Sequence, residues 1–119
     1  MEVFRNFRFH SARHLPKLDE NHICNNFHGH TFNLTVHIKG EIDQNTGFVI
    51  DFYTVDEIVN LHIIKQIDHK LLNDIKNLDN PTSENLCIWI WKNLKGNLKG
   101  LHKIVLSEDH GTGISYSGE

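Results

Sequence analysis

Cysteine, proline and methionine are scarce in this chain: two, two and one among 119 residues. Two cysteines, Cys24 and Cys87, cannot build a disulfide framework, so nothing here calls for an oxidising compartment. Lysine and arginine form no basic run, and 12 of them against 15 Asp and Glu leave a formal charge of −3. That balance excludes nucleic-acid binding by phosphate neutralisation. No apolar run comes near the roughly 20 residues that cross a bilayer, so no membrane partner is expected. The first ten residues lack the apolar stretch of an export signal. These absences together predict a cytoplasmic protein. Repeats, low-complexity tracts and linkers are also missing, which predicts a single domain over residues 1–119.

What is present is a globular composition, 39% apolar and 23% charged. The area scaling predicts about 6,600 Å² of folded surface against about 20,000 Å² unfolded, enough for one core. Ten histidines stand out. They are dispersed, so they are no purification tag, and near neutral pH histidine binds metals and carries protons.

Residues 3–9 read as a strand, with Phe7 and Phe9 on one face, and residues 10–27 as a polar loop. From 28 to 41 the chain alternates. His28, His30, Phe32, Leu34, Val36 and Ile38 share one parity, while Thr31, Asn33, Thr35 and Lys39 share the other. Period two over this length predicts a half-buried strand. Asp43 to Gly47 is turn chemistry, and Phe48, Val49 and Ile50 are expected to return as a hairpin partner. Val55, Ile58, Val59, Ile63 and Ile67 recur at helical spacing and predict a helix over about 53–67. Thr82 is the expected N-cap of a second helix, with Glu84 in its first turn. Leu86, Cys87, Ile90, Trp91 and Leu94 form its apolar stripe, which makes Cys87 a core residue. Gly96 and Gly100 mark its end. Residues 102–108 and 113–117 read as two further strands. Strands and helices in blocks predict an α+β fold, a four-stranded antiparallel sheet with two helices on one face.

The segment Cys24-Asn25-Asn26-Phe27-His28-Gly29-His30 carries the strongest chemical signal. On a strand, residues two apart face the same side with Cα atoms about 6.6 Å apart. Two imidazoles so placed either cap the core or converge on one ion at about 2.0–2.1 Å. Three protein histidines with an open fourth position make a catalytic zinc pattern. The third could be His14, His10 or His22, and spacing does not choose among them. Cys24 is placed to act as base, nucleophile or ligand beside a cation. Asp68 and His69 end the first helix, where both side chains can turn into a cleft. Glu108, at the inner end of a strand, can bind an N–C–N edge through two hydrogen bonds.

In their order and spacing these residues resemble the 6-pyruvoyl-tetrahydropterin synthase superfamily, nearly end to end. The carriers are Phe7-Arg8-Phe9-His10-Ser11-Ala12-Arg13-His14-Leu15, the Cys24 to His30 segment, and Gly47-Phe48-Val49-Ile50-Asp51-Phe52. They continue with Asp68-His69-Lys70-Leu71-Leu72-Asn73, Asn80-Pro81-Thr82-Ser83-Glu84, Glu108 and Tyr116-Ser117-Gly118-Glu119. The resemblance implies the tunnelling fold (T-fold, ββααββ). It also implies a homo-oligomer, a hexamer of two trimers, with active sites between subunits. It implies that His14, His28 and His30 hold one zinc per subunit, that Cys24 accepts a proton, and that His69 with Asp68 relays it. Glu108 is implied to anchor the pterin ring and to share in the relay.

The implied substrate is 7,8-dihydroneopterin triphosphate. The gap between Cys24 and His28 is three residues, as in the bacterial 6-carboxy-5,6,7,8-tetrahydropterin synthases of queuosine biosynthesis. The pyruvoyl branch tends to have five. The carboxy branch, a lyase releasing acetaldehyde and triphosphate, is therefore expected here. Competing readings are a pyruvoyl synthase, a non-catalytic zinc or pterin-binding module and a Cys-His-Asp hydrolase. Asp109 departs from the uncharged residue common in the family, and a carboxylate beside Glu108 is expected to raise its pKa. Lys17, Arg13 and Lys70 are the candidate partners of the triphosphate.

Overall fold

The computed structural model describes all residues, Met1–Glu119. Two long strands come first, β1 (Glu2–Arg13) and β2 (His28–Lys39). Helix α1 (Phe52–Val59) runs through a π-helical turn (Asn60–Ile64) into the short α2 (Lys65–Ile67). Helix α3 (Ser83–Lys95) and strands β3 (Leu101–Glu108) and β4 (Gly113–Tyr116) complete the chain. The sheet order is β1-β2-β3-β4, antiparallel throughout.

The apolar parity of β2 faces the helices. Phe32, Leu34, Val36 and Ile38, with Phe9, Ile104 and Leu106, pack on Val59, Ile63, Leu86, Ile90 and Leu94 in one core of 19 buried residues. Cys87 is fully buried there as expected, and burial pushes its thiol up to about 12. No helix is long and apolar enough to cross a membrane.

Local chemistry sets the element ends. Asp51 caps α1, its Oδ1 accepting from Tyr53 N at 2.9 Å. Thr82 caps α3 as expected, Oγ1 accepting from Asn85 N at 3.1 Å. Gly100 has φ +82°, and a Cβ there would lie 2.6 Å from the Lys39 carbonyl oxygen, so only glycine fits the entry to β3. The π turn has a cause in the sequence. Val55, Val59, Ile63 and Ile67 are all 0% exposed and repeat strictly every four residues. Four α-helical residues overshoot a turn by about 40°, so such a row drifts off the core face. One wider i→i+5 turn takes up the drift.

Two expectations are corrected. Residues 10–13 are not loop but the end of β1. Ser11 and Arg13 keep the inward parity of Phe9, and their polar groups are satisfied inside: Ser11 Oγ donates to Ile67 O at 2.6 Å. Polarity there does not mean exposure. Phe48, Val49 and Ile50 are not a strand. Asp43 N donates to Phe48 O at 2.8 Å and closes the turn. The chain then leaves for the Asp51 cap, with Ile50 packed against the core.

Candidate active site

The β1–β2 register brings the candidate residues to one end of the sheet. Arg13 pairs with His28 and Ser11 with His30, so His14 lies just past β1, beside the start of β2. Cys24, half-buried, sits in a 3₁₀ turn (Ile23–Asn25) whose carbonyl accepts from Leu15 N at 2.8 Å. The Cys24 amide donates to His22 Nδ1 at 3.0 Å at the start of this turn. His22 is thus a cap. His10 has its Nδ1 3.0 Å from Thr31 Oγ1 and its ring edge-on to His69.

His28 and His30 share a face with ring centroids 4.5 Å apart. His28 Nδ1 lies 2.6 Å from Asn26 O. A carbonyl only accepts, so Nδ1 carries the proton and Nε2 keeps a free lone pair, the arrangement a metal-ligating histidine needs. His30 Nε2 is buried without any hydrogen-bond partner. Burial, and then the charge of Arg13, lower the His30 pKa, which favours the neutral ligand form. Unpartnered imidazole nitrogens of this kind fit zinc. His14 is held by its backbone, donating to Asn73 Oδ1 at 3.0 Å and accepting from Asn73 Nδ2 at 2.9 Å. Its ring lies against Phe27, centroids 4.3 Å apart. The donor atoms that approach within 4.8 Å of one another belong to His30, Glu108 and His110.

Asp68 and His69 meet, Nδ1 to Oδ1 at 3.0 Å, with His69 in the left-handed region at φ 59°. The turn is fixed to β1, because Asp68 Oδ1 accepts from His10 N at 2.9 Å and His69 N donates to His10 O at 2.6 Å. Burial works to raise the Asp68 pKa, but the hydrogen bonds from His10 N and His69 outweigh it and the net shift is down. Leu71 forms a parallel bridge with Ala12. A cleft of about 550 Å³ opens here, lined by His10, Gly29, His30, Thr31, His69 and Lys70 among others.

Glu108 lies in a different recess, of about 370 Å³, with Arg13, Ser83 and Thr112. Its side chain is 8% exposed and that of Arg13 is 6%. Oε1 accepts from Arg13 at 2.5 Å and from Ser83 Oγ at 2.9 Å. Oε2 faces His110 Nε2 at 2.9 Å. Burial works to raise the Glu108 pKa, but the Ser83 hydrogen bond and the Arg13 charge hold it below its ordinary value. The expected effect of Asp109 is therefore corrected. Asp109 sits on the other face of β3, bonded to Arg8 at 3.3 Å and Asn33 at 2.8 Å. Arg13 is likewise removed from the triphosphate candidates. It is buried, donates to Pro81 O at 3.1 Å and stacks over Phe32. Lys70 lines the cleft and stays a candidate.

Sequence reasoning missed Ser83 and His110. Ser83 reads only as part of a helix start, and it acts on Glu108 from another element; His110, two residues past Glu108, reaches it only because the β3–β4 loop turns back. The inward place of Arg13 did have a signal, the parity of Phe7 and Phe9 carried two steps further.

A family model described as 6-pyruvoyl tetrahydropterin synthase matches residues 2–119. The dihydroneopterin monophosphate aldolase of Pyrococcus furiosus is 38% identical over 106 residues, 87% of this chain and 86% of that one. The 6-carboxy-5,6,7,8-tetrahydropterin synthase of Synechocystis is 30% identical over 111 residues, 89% of this chain and 84% of that one. The structure of Caenorhabditis elegans 6-pyruvoyl tetrahydropterin synthase superposes with a TM-score of 0.90 at 27% identity, over 100% of this chain and 96% of that one.

Proposed function

Because the chain belongs to the 6-pyruvoyl tetrahydropterin synthase family, with its tunnelling fold and as a pterin-processing lyase, we propose that it converts 7,8-dihydroneopterin triphosphate to 6-carboxy-5,6,7,8-tetrahydropterin, acetaldehyde and triphosphate in queuosine biosynthesis. The observation that carries this reading is the three-residue gap between Cys24 and His28. The 3₁₀ turn and the extended Asn26 cap span it, and the Cys24 carbonyl accepts from Leu15 N.

His14, His28 and His30 are the residues that would hold zinc. When bound, zinc would polarise the oxygens of the substrate side chain and so acidify the adjacent C–H. Cys24 accepts that proton as general base. Asp68 fixes the His69 ring by its 3.0 Å contact, and His69 relays the proton. Glu108 presents its carboxylate to the ring N–C–N edge and shares in the relay. Lys70 and Lys17 are the cations left to meet the triphosphate.

One chain divides these groups between two recesses, His69 in one and Glu108 in the other. His30 reaches both, and the homo-oligomer we propose, a hexamer of two trimers with sites between subunits, follows from the family resemblance. The free outer edges of β1 and β4 are where sheets can join.

Product analysis tests the reaction. Zinc-loaded protein incubated with 7,8-dihydroneopterin triphosphate should give a carboxy-pterin with matching acetaldehyde. A pyruvoyl-pterin without acetaldehyde would assign the other branch. The similarity to the Pyrococcus furiosus aldolase supports a second reading, and turnover of dihydroneopterin monophosphate alone would favour it. Bound zinc and no turnover on either substrate would favour a binding module.

A further inference from the structure

The Glu108 carboxylate has three partners of unequal standing. Arg13 is buried and tied to Pro81 and Ser83, and Ser83 follows the cap of α3. Both donate to Oε1, so the two lone pairs of that oxygen are taken by groups the core holds in place. Oε2 has one partner, His110, whose side chain is 61% exposed. His110 sits in the loop between β3 and β4, beside Gly111 at φ +93°. Thr112 O accepts from Glu108 N at 3.0 Å and closes this loop. His110 is therefore the one partner of the carboxylate that can leave without breaking the core.

A ligand offering two adjacent N–H groups needs two free acceptor positions; Oε1 has none left, so both must be on Oε2, where His110 already takes one of the two lone pairs. His110 and the ligand compete for the same oxygen. We propose that His110 is an affinity-determining latch on Glu108. It donates Nε2–H to Oε2 when the site is empty and swings out when an aminopyrimidinone ring takes that oxygen. The proposal rests on Glu108 being the pterin anchor. Closed-latch protein is binding-incompetent, so apparent affinity is reduced by the open fraction. A single solvent-exposed hydrogen bond of this kind sets that reduction at about five-fold.

Neopterin, an oxidised pterin carrying the same N–C–N edge, serves as the probe in equilibrium fluorescence titrations. His110→Ala is expected to bind neopterin about five-fold more tightly than the parent. His110→Gln, which keeps an N–H donor at similar reach, is expected to return affinity to the parent value. A purely structural loop residue would give weaker binding on truncation and no such rescue. Glu108→Gln is expected to lose neopterin. If Glu108→Gln binds as the parent does, the anchor fails and the latch with it. If Glu108→Gln loses neopterin while His110→Ala is unchanged or weaker, the anchor stands and the latch is overturned. Should Glu108→Gln not fold, the His110 Cε1–H resonance of the parent gives the reading directly. A shift that saturates with neopterin fluorescence supports the latch, and one that stays fixed at saturation overturns it.

Discussion

Arg13 and Glu108 bury opposite charges against the ring of Phe32. Removing one member leaves the other without compensation in the core, which costs about 3–5 kcal/mol. Glu108→Gln should therefore lower the urea midpoint sharply, and Arg13→Met should do the same. A change under about 1 kcal/mol would mean that solvent reaches the pair. Acid should act on the same contact. Glu108 and Asp68 both titrate below their ordinary values of 4.5 and 3.8 when folded. Their contribution is complete above those values and is lost as pH falls through the lower folded ones. Urea midpoints taken downward from about pH 5 should fall, with the slope reduced in Asp68→Asn. At the proposed base, Cys24→Ala should keep its zinc and lose turnover, measured by metal analysis and product assay. Loss of metal would make Cys24 a ligand. The His28 and His30 pair was legible because strand period two places i and i+2 together. The links from Arg13 and Ser83 to Glu108 were not, because each closes across distant parts of the chain, and the short link from His110 depends on the way the β3–β4 loop turns back.

At the scale of elements, the helices were legible and the strand ends were not. Apolar spacing marked 53–67 and Thr82 marked the start of α3, since caps and stripes are local. β1 was cut short at residue 9 because Ser11 and Arg13 are polar, although their partners lie inside. Phe48 to Ile50 looked like a strand, but burial of Ile50 and the Asp51 cap take the chain elsewhere. The π turn gives a sharper test. Deleting the exposed Leu61 changes the spacing of Val55, Val59, Ile63 and Ile67 to four, three and four. An unbroken α-helix keeps that pattern on one face. The deletion should fold as a straight helix with stability within about 1 kcal/mol of the parent, read by denaturation and backbone chemical shifts. A loss of several kcal/mol would show that the wide turn is needed for something other than phase.

The whole molecule is extended for its size. Its surface is 7342 Å², against about 6,600 Å² for a monomer of this mass. Its radius of gyration is 15.4 Å, against about 13.5 Å for a compact chain of this length. Its extents are 58 × 23 × 23 Å. Open sheet edges on such a body favour association. Sedimentation should find an oligomer in multiples of three, and a fully active monomer would refute sites between subunits. Mixing is more specific. Cys24→Ala and His69→Ala are each expected to be inactive. Refolded together they should regain activity neither has alone, if one site takes Cys24 and His69 from different copies. No recovery in verified mixed oligomers would place both in one chain.

The register that pairs Phe32 with Glu108 also sets a timetable. β1 and β2 are neighbours in the chain and can zip as soon as both exist. The inner edge of β2 must then wait for both helices and β3 before it is covered. Chain closure over so long a loop is slow, so this domain should fold on the millisecond-to-second scale of proteins with distant pairings. Through that interval a bare apolar strand faces the surroundings. The concentration at which copies meet while folding thus divides ordered assembly from aggregation.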